Sequence, residues 1–331
     1  MKSLVINYLV FTILLFAFIH DSFCFSEQWR TFYWDAAYCR EVIAQAGLWQ
    51  LVTDFFTQFQ TNKYCISLLL AIPLTLAGQV VLYLLQRLQR RFVPAAPGIA
   101  LSVAQVLLYL LCIVIANLTE SDSDRFKGMM CMVEDENWDG IIGECEDRRV
   151  TNLLEQNMLN LALAETGLLE QRLTQQPCRD VNSLFVLQIE SPYVAALLSD
   201  IYWSMGEISM SQMYAFEANE KMDNLSPRLL KRLVLTNIVF GHYRVAEKYL
   251  NWLDKTLFYR EWSAHYRTML SDEAVMADPV LRLKRACIPA ENVFPSAQSV
   301  AYDLQQIIDR NPEHRTSAAY LGALKRLYGM Q

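Results

Sequence analysis

The chain is 331 residues long, 53% hydrophobic and 19% charged, with a formal net charge of −6; that length allows two or three units. The charge is unevenly spread: residues 119–331 hold 22 Lys+Arg against 30 Asp+Glu, a net of −8. An acidic half without a basic stripe argues against nucleic acid as a partner and against electrostatic docking onto anionic headgroups.

The chain begins with an apolar run from Leu4 to Ile19 behind Lys2. Its exit, His20-Asp-Ser-Phe-Cys-Phe25, lacks a small-x-small cleavage site, so the run reads as a retained first span rather than a signal peptide. Residues 64–86 and 98–118 contain no Asp, Glu, Lys or Arg. Each is long enough to cross a bilayer core of about 30 Å at about 1.5 Å per residue. Arg87, Arg90 and Arg91 lie between them, and the positive-inside rule makes that loop cytoplasmic. The chain is therefore expected in the lipid bilayer of the inner membrane as a multi-pass protein, with everything after Leu118 in the periplasm. Gln79 and Gln105 fall at matching depths in the two spans, each four residues before a tyrosine. A cross-helix amide hydrogen bond worth about 0.6–2 kcal/mol is their expected role.

Residues 20–63 are crowded with aromatics, among them Trp29, Tyr33, Trp34, Tyr38 and Trp49. Leu48, Leu51, Val52, Phe55, Phe56 and Phe59 fall at helical spacing. An amphipathic aromatic segment beside a span is expected at the headgroup boundary, with the acids Asp35, Glu41 and Asp54 simply solvated.

Past the membrane, Arg125–Val133 and the apolar positions Trp138, Ile141, Ile142 and Cys145 predict a first hairpin. Its turn, Glu134-Asp-Glu-Asn137, lacks the ligand spacing of a calcium loop and reads as solvated. Cys131 and Cys145 straddle that turn and read as packed thiols or as a disulfide. The eight cysteines form no Cys-x-x-Cys and no zinc spacing, so neither metal nor cofactor is expected. A helix from Leu153 ends near Gly167, and the apolar run Val181–Ile189 reads as helix or buried connector.

The most informative stretch follows. Ile201-Tyr-Trp-Ser-Met-Gly206 is answered 35 residues later by Thr236-Asn-Ile-Val-Phe-Gly241. Ser191-Pro192 is answered by Ser226-Pro227, each pair supplying an N-cap and a first-turn proline. Tyr202 marks the inner face of the first copy, and Ser211 and Ala246 stand at matching positions in the following helices. Such a period predicts helix-turn-helix repeats that stack into a solenoid. Beyond them, Phe258–Leu270 carries His265 as a half-buried polar tip. Asp278-Pro279 opens a helix whose Arg282, Lys284 and Arg285 read as its wet face. Ser296–Arg310 and Thr316–Tyr328 close the array as a hairpin.

The fold class is therefore all-α: N-terminal transmembrane helices in residues 1–118, then a tetratricopeptide-like α-solenoid in residues 119–331. The repeats resemble the tetratricopeptide class, with Ser211 where that class usually has alanine. Gly47-Leu-Trp-Gln-Leu-Val-Thr-Asp-Phe-Phe-Thr-Gln-Phe59, Asn160–Gly167, Gly206–Ala218 and Arg232–Trp262 also resemble a family of uncharacterised multi-pass membrane proteins from Bacteroidota. That resemblance implies an inner-membrane location and no catalytic residue; its members carry extra spans, so this chain reads as a reduced form. The residues singled out, Gly206, Gly241, Tyr202, Ala246, Pro192, Pro227, Gln79 and Gln105, are structural. The expected function is an envelope scaffold that holds a protein or peptide partner on its repeats. The alternative is an integral-membrane enzyme or accessory subunit of envelope glycan or lipid handling.

Overall fold

A computed structural model describes residues 2–18, 25–61, 63–92, 122–146, 148–173, 180–188, 191–288 and 300–328. Among them every regular element is helical, and the described chain is all-α. In order, α1 is Lys2–Phe18, α2 Phe25–Trp29, α3 Ala36–Ala46, α4 Leu48–Thr57 and α5 Lys63–Phe92. Then come α6 Asp122–Glu134, α7 Trp138–Glu146, α8 Leu153–Glu165, α9 Leu169–Arg172, α10 Pro192–Ser204 and α11 Ile208–Glu220. The remainder are α12 Pro227–Val239, α13 Tyr243–Leu253, α14 Arg260–Arg267, α15 Asp272–Ala277, α16 Pro279–Ala286, α17 Val300–Arg310 and α18 Arg315–Tyr328. Two compact units result, one drawn from residues 1–24 and 59–128, the other from 25–58 and 129–331. The sequence division at residue 118 groups 25–58 differently.

In the first unit α1 packs on α5. The Tyr8 hydroxyl donates to the Leu68 carbonyl at 3.1 Å, and Phe16 stacks on Tyr64 with ring centroids 4.6 Å apart. Phe11 lies over Gly78, where an added Cβ would sit 3.5 Å from its ring. Asn7, Ser67 and Thr75 are buried beside Phe11, Ile66 and Ala71, whereas Val5, Leu9, Ile13, Ile72, Leu76 and Val80 face outward. Pro73 sits inside α5 without ending it. Among the described residues no helix is long and apolar enough to cross a membrane. The expected third span, and with it Gln105, lies outside the described residues. Gln79 has its Nε2 buried with no hydrogen-bond partner among the described residues.

In the second unit, helices adjacent in sequence pair in space, through α7–α8, α10–α11, α11–α12, α12–α13, α13–α14 and α17–α18. The local rules read from the sequence explain much of this. Pro192 and Pro227 begin α10 and α12. Gly206 and Gly241 end their turns at φ +83° and +76°. There the next amide reaches back across the turn, from Glu207 to the Tyr202 carbonyl at 2.9 Å and from His242 to Asn237 at 2.8 Å. This is the glycine-terminated cap that a left-handed residue permits. Tyr202 is buried and stacks on Tyr214 at 5.3 Å. Ser211 fits at an alanine-like position because it and Ser199 exchange hydroxyl-to-carbonyl bonds of 2.9 and 2.8 Å across α10 and α11. In the second copy buried Val234 and Ala246 replace that pair.

Several expectations are corrected. Ser191 caps α10 through its side chain, but Ser226 makes no side-chain cap bond; its Oγ donates instead to the Gln28 carbonyl at 3.1 Å. Residues 181–188 form a short 3-10 turn, Val181–Ser183, followed by irregular chain. Asn157 and Asn160 hold that segment by donating to the Ser183 carbonyl. The acidic turn is not merely solvated, because Glu134 pairs with Arg228 and Lys231. Cys131 and Cys145 are buried and are not joined in a disulfide. His265 is exposed rather than half-buried.

The largest correction concerns the aromatic segment. Phe25, Trp29, Phe32, Tyr33 and Tyr38 are buried in the second unit. They run as a strap across the ends of the hairpins: the Tyr33 hydroxyl donates to the Leu225 carbonyl at 2.7 Å, and the Trp34 amide to the Lys255 carbonyl at 2.7 Å. Five buried aromatic side chains each bring roughly 150–250 Å² of surface, which outweighs the polar groups the strap must also satisfy. Asp54 is not solvated; it is buried and accepts from Arg30, Tyr38 and Gln50.

Candidate functional site

Neither α10 nor α12 has a basic residue in its last turn, so the carbonyls orphaned there need donors from elsewhere. α16 supplies them, started by Asp278, whose side chain caps Leu281 N, and by Pro279. Lys284 Nζ donates to the Trp203 carbonyl at 2.6 Å and to the Ser204 carbonyl at 3.1 Å. Its neighbour Arg285 donates to Ile238 O at 2.8 Å and Val239 O at 3.0 Å. Positions 203 and 204 precede 238 and 239 by 35 residues, so two consecutive cations serve equivalent carbonyls of the two copies. Each also meets the negative end of a helix dipole. Only Arg282 remains on a wet face, whereas Lys284 is buried and Arg285 partly so.

Around Lys284 the site closes over. His314 Nε2 lies 3.2 Å from Lys284 Nζ, and His314 Nδ1 lies 2.6 Å from Ser317 Oγ. Ser317 Oγ in turn donates to the Met205 carbonyl at 2.6 Å. Burial lowers the Lys284 ammonium to about 8, and burial together with Lys284 lowers the His314 imidazole to about 3. The Ser317 hydroxyl proton is thus committed to a backbone carbonyl, and the Ser317 amide also donates to His314 Nδ1 at 3.3 Å. Lys284, His314 and Ser317 are all buried, and their bonds are committed to three terminal carbonyls of the α10 end. The arrangement holds helices together.

The glycines meet the same helix. A Cβ on Gly206 would come within 2.9 Å of Cys287 Sγ, while one on Gly241 would meet nothing nearer than an Arg285 nitrogen at 3.9 Å. Next to Gly206, burial and then Asp303 raise the Glu207 carboxyl to about 7 against the pull of Arg310.

A second buried network anchors the strap. Asp200 accepts from Arg228 at 2.6 Å and from Arg232 at 2.8 Å. Burial alone would raise its carboxyl, but the two guanidinium groups hold it below the ordinary range. Arg228 also donates to Gln28 Oε1 and to the Met130 carbonyl, each at 2.8 Å, and lies 5.2 Å over the Trp29 ring. Glu27 accepts from the Tyr259 hydroxyl at 2.6 Å.

The singled-out residues thus fall into separate places. Gly206, Gly241 and Tyr202 gather near α16 and the first copy, Ala246 lies in the core, and Pro192 and Pro227 start their helices. Gln79 stands apart on α5. Sequence reasoning missed Lys284, Arg285, His314 and Asp200. One signal was present: two amphipathic helices without cations of their own at their C-terminal ends must borrow them. Among the described residues no group of three or more His, Cys, Asp or Glu is placed to hold a metal ion. A hollow of about 310 Å³ is lined by Glu170, Gln171, Leu173, Gly322 and Arg326. No curated protein and no solved structure matches the chain. Residues 110–327, well over half of the chain, match one family model, and the protein belongs to that family, the family of unknown function DUF6057.

Proposed function

We propose that the protein is a membrane-anchored helical-repeat scaffold of the cell envelope, and that α11 of its tetratricopeptide-like array presents a protein or peptide partner with an apolar contact. The observation that carries the partner reading is on α11, where Met213 and Phe216 are 48% and 54% exposed. Their equivalents 35 residues on, Lys248 and Asn251, are polar. The repeat architecture therefore does not require apolar side chains at these positions, and one turn of helix separates the pair on a single face. Anchoring is supported by the outward apolar side chains of α1 and α5 around a seam that mixes polar Asn7, Ser67 and Thr75 with Phe11, Ile66 and Ala71, as helices packed in lipid can do. Arg87, Arg90 and Arg91 favour a cytoplasmic end for α5, and a return crossing by the apolar residues 98–118 then leaves the repeats in the periplasm of a Bacteroidota-type inner membrane.

The test uses the full chain, because residues 25–58 fold with 129–331. A photo-crosslinking amino acid at position 213 in native membranes is expected to give a discrete protein adduct, and one at position 248 is not. Equal labelling at both positions would overturn the docking reading. The enzyme alternative has no comparable observation: Asp35 caps α3 and pairs with Lys255, Asp54 is buried in its own network, and Glu41 bonds Gln45.

A further inference from the structure

We infer that the outer face of α4 is a lipid-contacting foot, seated at the bilayer interface. The inference rests on the anchoring just proposed and adds a contact that anchoring does not require. Four side chains define the face: Leu48 is 64% exposed, Trp49 80% and Phe56 51%, with Val52 half-buried between them. Positions 48, 52 and 56 follow the spacing i, i+4, i+8, and Trp49 lies about 100° round from Leu48, so all four share one side of the helix. Their exposure contrasts with the strap residues of the same segment, which are buried.

The chemistry of the face selects its occupant. The only ionisable residue of α4 is Asp54, which is turned inward onto Arg30, Tyr38 and Gln50. The face itself therefore offers no charge to a charged partner. The threonine hydroxyls of α4 need no water either. Thr53 Oγ1 donates to the Trp49 carbonyl at 3.0 Å, and Thr57 Oγ1 to the Thr53 carbonyl at 2.9 Å, the internal bonding that suits an apolar medium. A second copy of the chain is a poorer occupant. Leu48, Trp49 and Phe56 expose on the order of 400–500 Å² together, short of the roughly 800 Å² per partner of a stable interface. A tryptophan on an uncharged helix face suits the headgroup boundary. α4 ends at Thr57 and α5 starts at Lys63, so the face lies only a few residues before the apolar run of α5.

The experiment reconstitutes the full chain in phosphatidylcholine vesicles, with and without brominated acyl chains, and reads tryptophan fluorescence. Trp49→Phe and Trp262→Phe are compared with the native chain before and after an alkaline wash. The expected result is retention after the wash, quenching by brominated lipid, and loss of the largest share of that quenching in Trp49→Phe but not in Trp262→Phe. If the chain is retained and Trp49→Phe quenches like the native protein, the foot is wrong while anchoring stands. If the wash removes the chain but quenching before it depends on Trp49, anchoring by α1 and α5 fails and the foot stands. A Trp49 shielded from both brominated lipid and aqueous acrylamide assigns the face to another protein surface and overturns the inference.

Discussion

The C-terminal ends of α10 and α12 face the same problem and solve it with different cations. At α10, buried Lys284 is enclosed with His314 and Ser317. At α12, Arg285 keeps part of its side chain in water, reaching Asp272 at 2.8 Å and the Tyr243 hydroxyl at 2.8 Å as well as its two carbonyls. An ammonium is a compact charge that can lose its proton when buried; a guanidinium keeps its charge and spreads donors in a planar fork. The enclosed end therefore carries the titratable group and the open end the permanent charge. Two repeats of one pattern can differ in their energetics because the third helix laid across them meets one inside the core and the other at its rim.

The largest expected effect separates the two turn glycines. Gly206→Val adds left-handed strain and a collision with Cys287, and should lower stability by about 3–4 kcal/mol. Gly241→Val adds mainly strain, at about 1–2 kcal/mol. Thermal melting of the two variants side by side measures the difference, and equal losses would mean that α16 does not press on the first copy. Next comes Lys284→Met, which strips donors from buried carbonyls and should lower stability by about 2–3 kcal/mol. Lys284 should also contribute stability that grows from pH 8 toward 10.5, because it loses its proton earlier when folded than when unfolded. Buried thiols and phenols with raised values act in the opposite direction in both chains, so chemical denaturation across that range should show a more positive slope in the native chain than in Lys284→Met, and equal slopes would exclude the effect.

A smaller effect is expected beside Gly206. The Glu207 carboxyl is raised to about 7 when folded, so its contribution is fully present below its unfolded value and is lost as pH rises through 7. His314, lowered to about 3, has the opposite slope: its contribution is present above its unfolded value and lost as pH falls toward 3. Glu207→Gln should remove the first slope, leave the second, and exceed the native chain by about 1–2 kcal/mol at pH 8. Melting temperatures at pH 5 and pH 8 decide it; parallel curves would exclude a buried carboxyl there. The smallest loss, about 1 kcal/mol, is expected for Arg285→Met, since water can reach the freed carbonyls. A loss as large as that of Lys284→Met would erase the contrast between the two ends.

What was legible follows from the range over which each rule acts. Glycine at a left-handed turn, proline in a first turn and an apolar period of 35 residues are written within a few residues of where they operate. The two hairpins that open at Pro192 and Pro227 and turn at Gly206 and Gly241 are therefore legible in the sequence. Ser226 shows the limit. Its sequence context copies that of Ser191, yet its hydroxyl is taken by the Gln28 carbonyl, about two hundred residues away in the chain. The fate of the aromatic segment was likewise illegible. A run such as Phe25–Tyr38 suits a membrane boundary or a protein core equally well until the receiving groups, the carbonyls of Leu225 and Lys255 and the Arg228 guanidinium, are brought to it.

By itself, then, the sequence determined the helical class, the two copies and their turn glycines, because backbone conformation and amphipathic period are local properties. Tertiary structure alone decided that Lys284 and Arg285 cap the two copies, that Asp200 and Asp54 are buried, and that α4 turns Trp49 outward. A charge or an aromatic ring carries no sequence mark of where it ends; its burial depends on partners that only folding brings within reach.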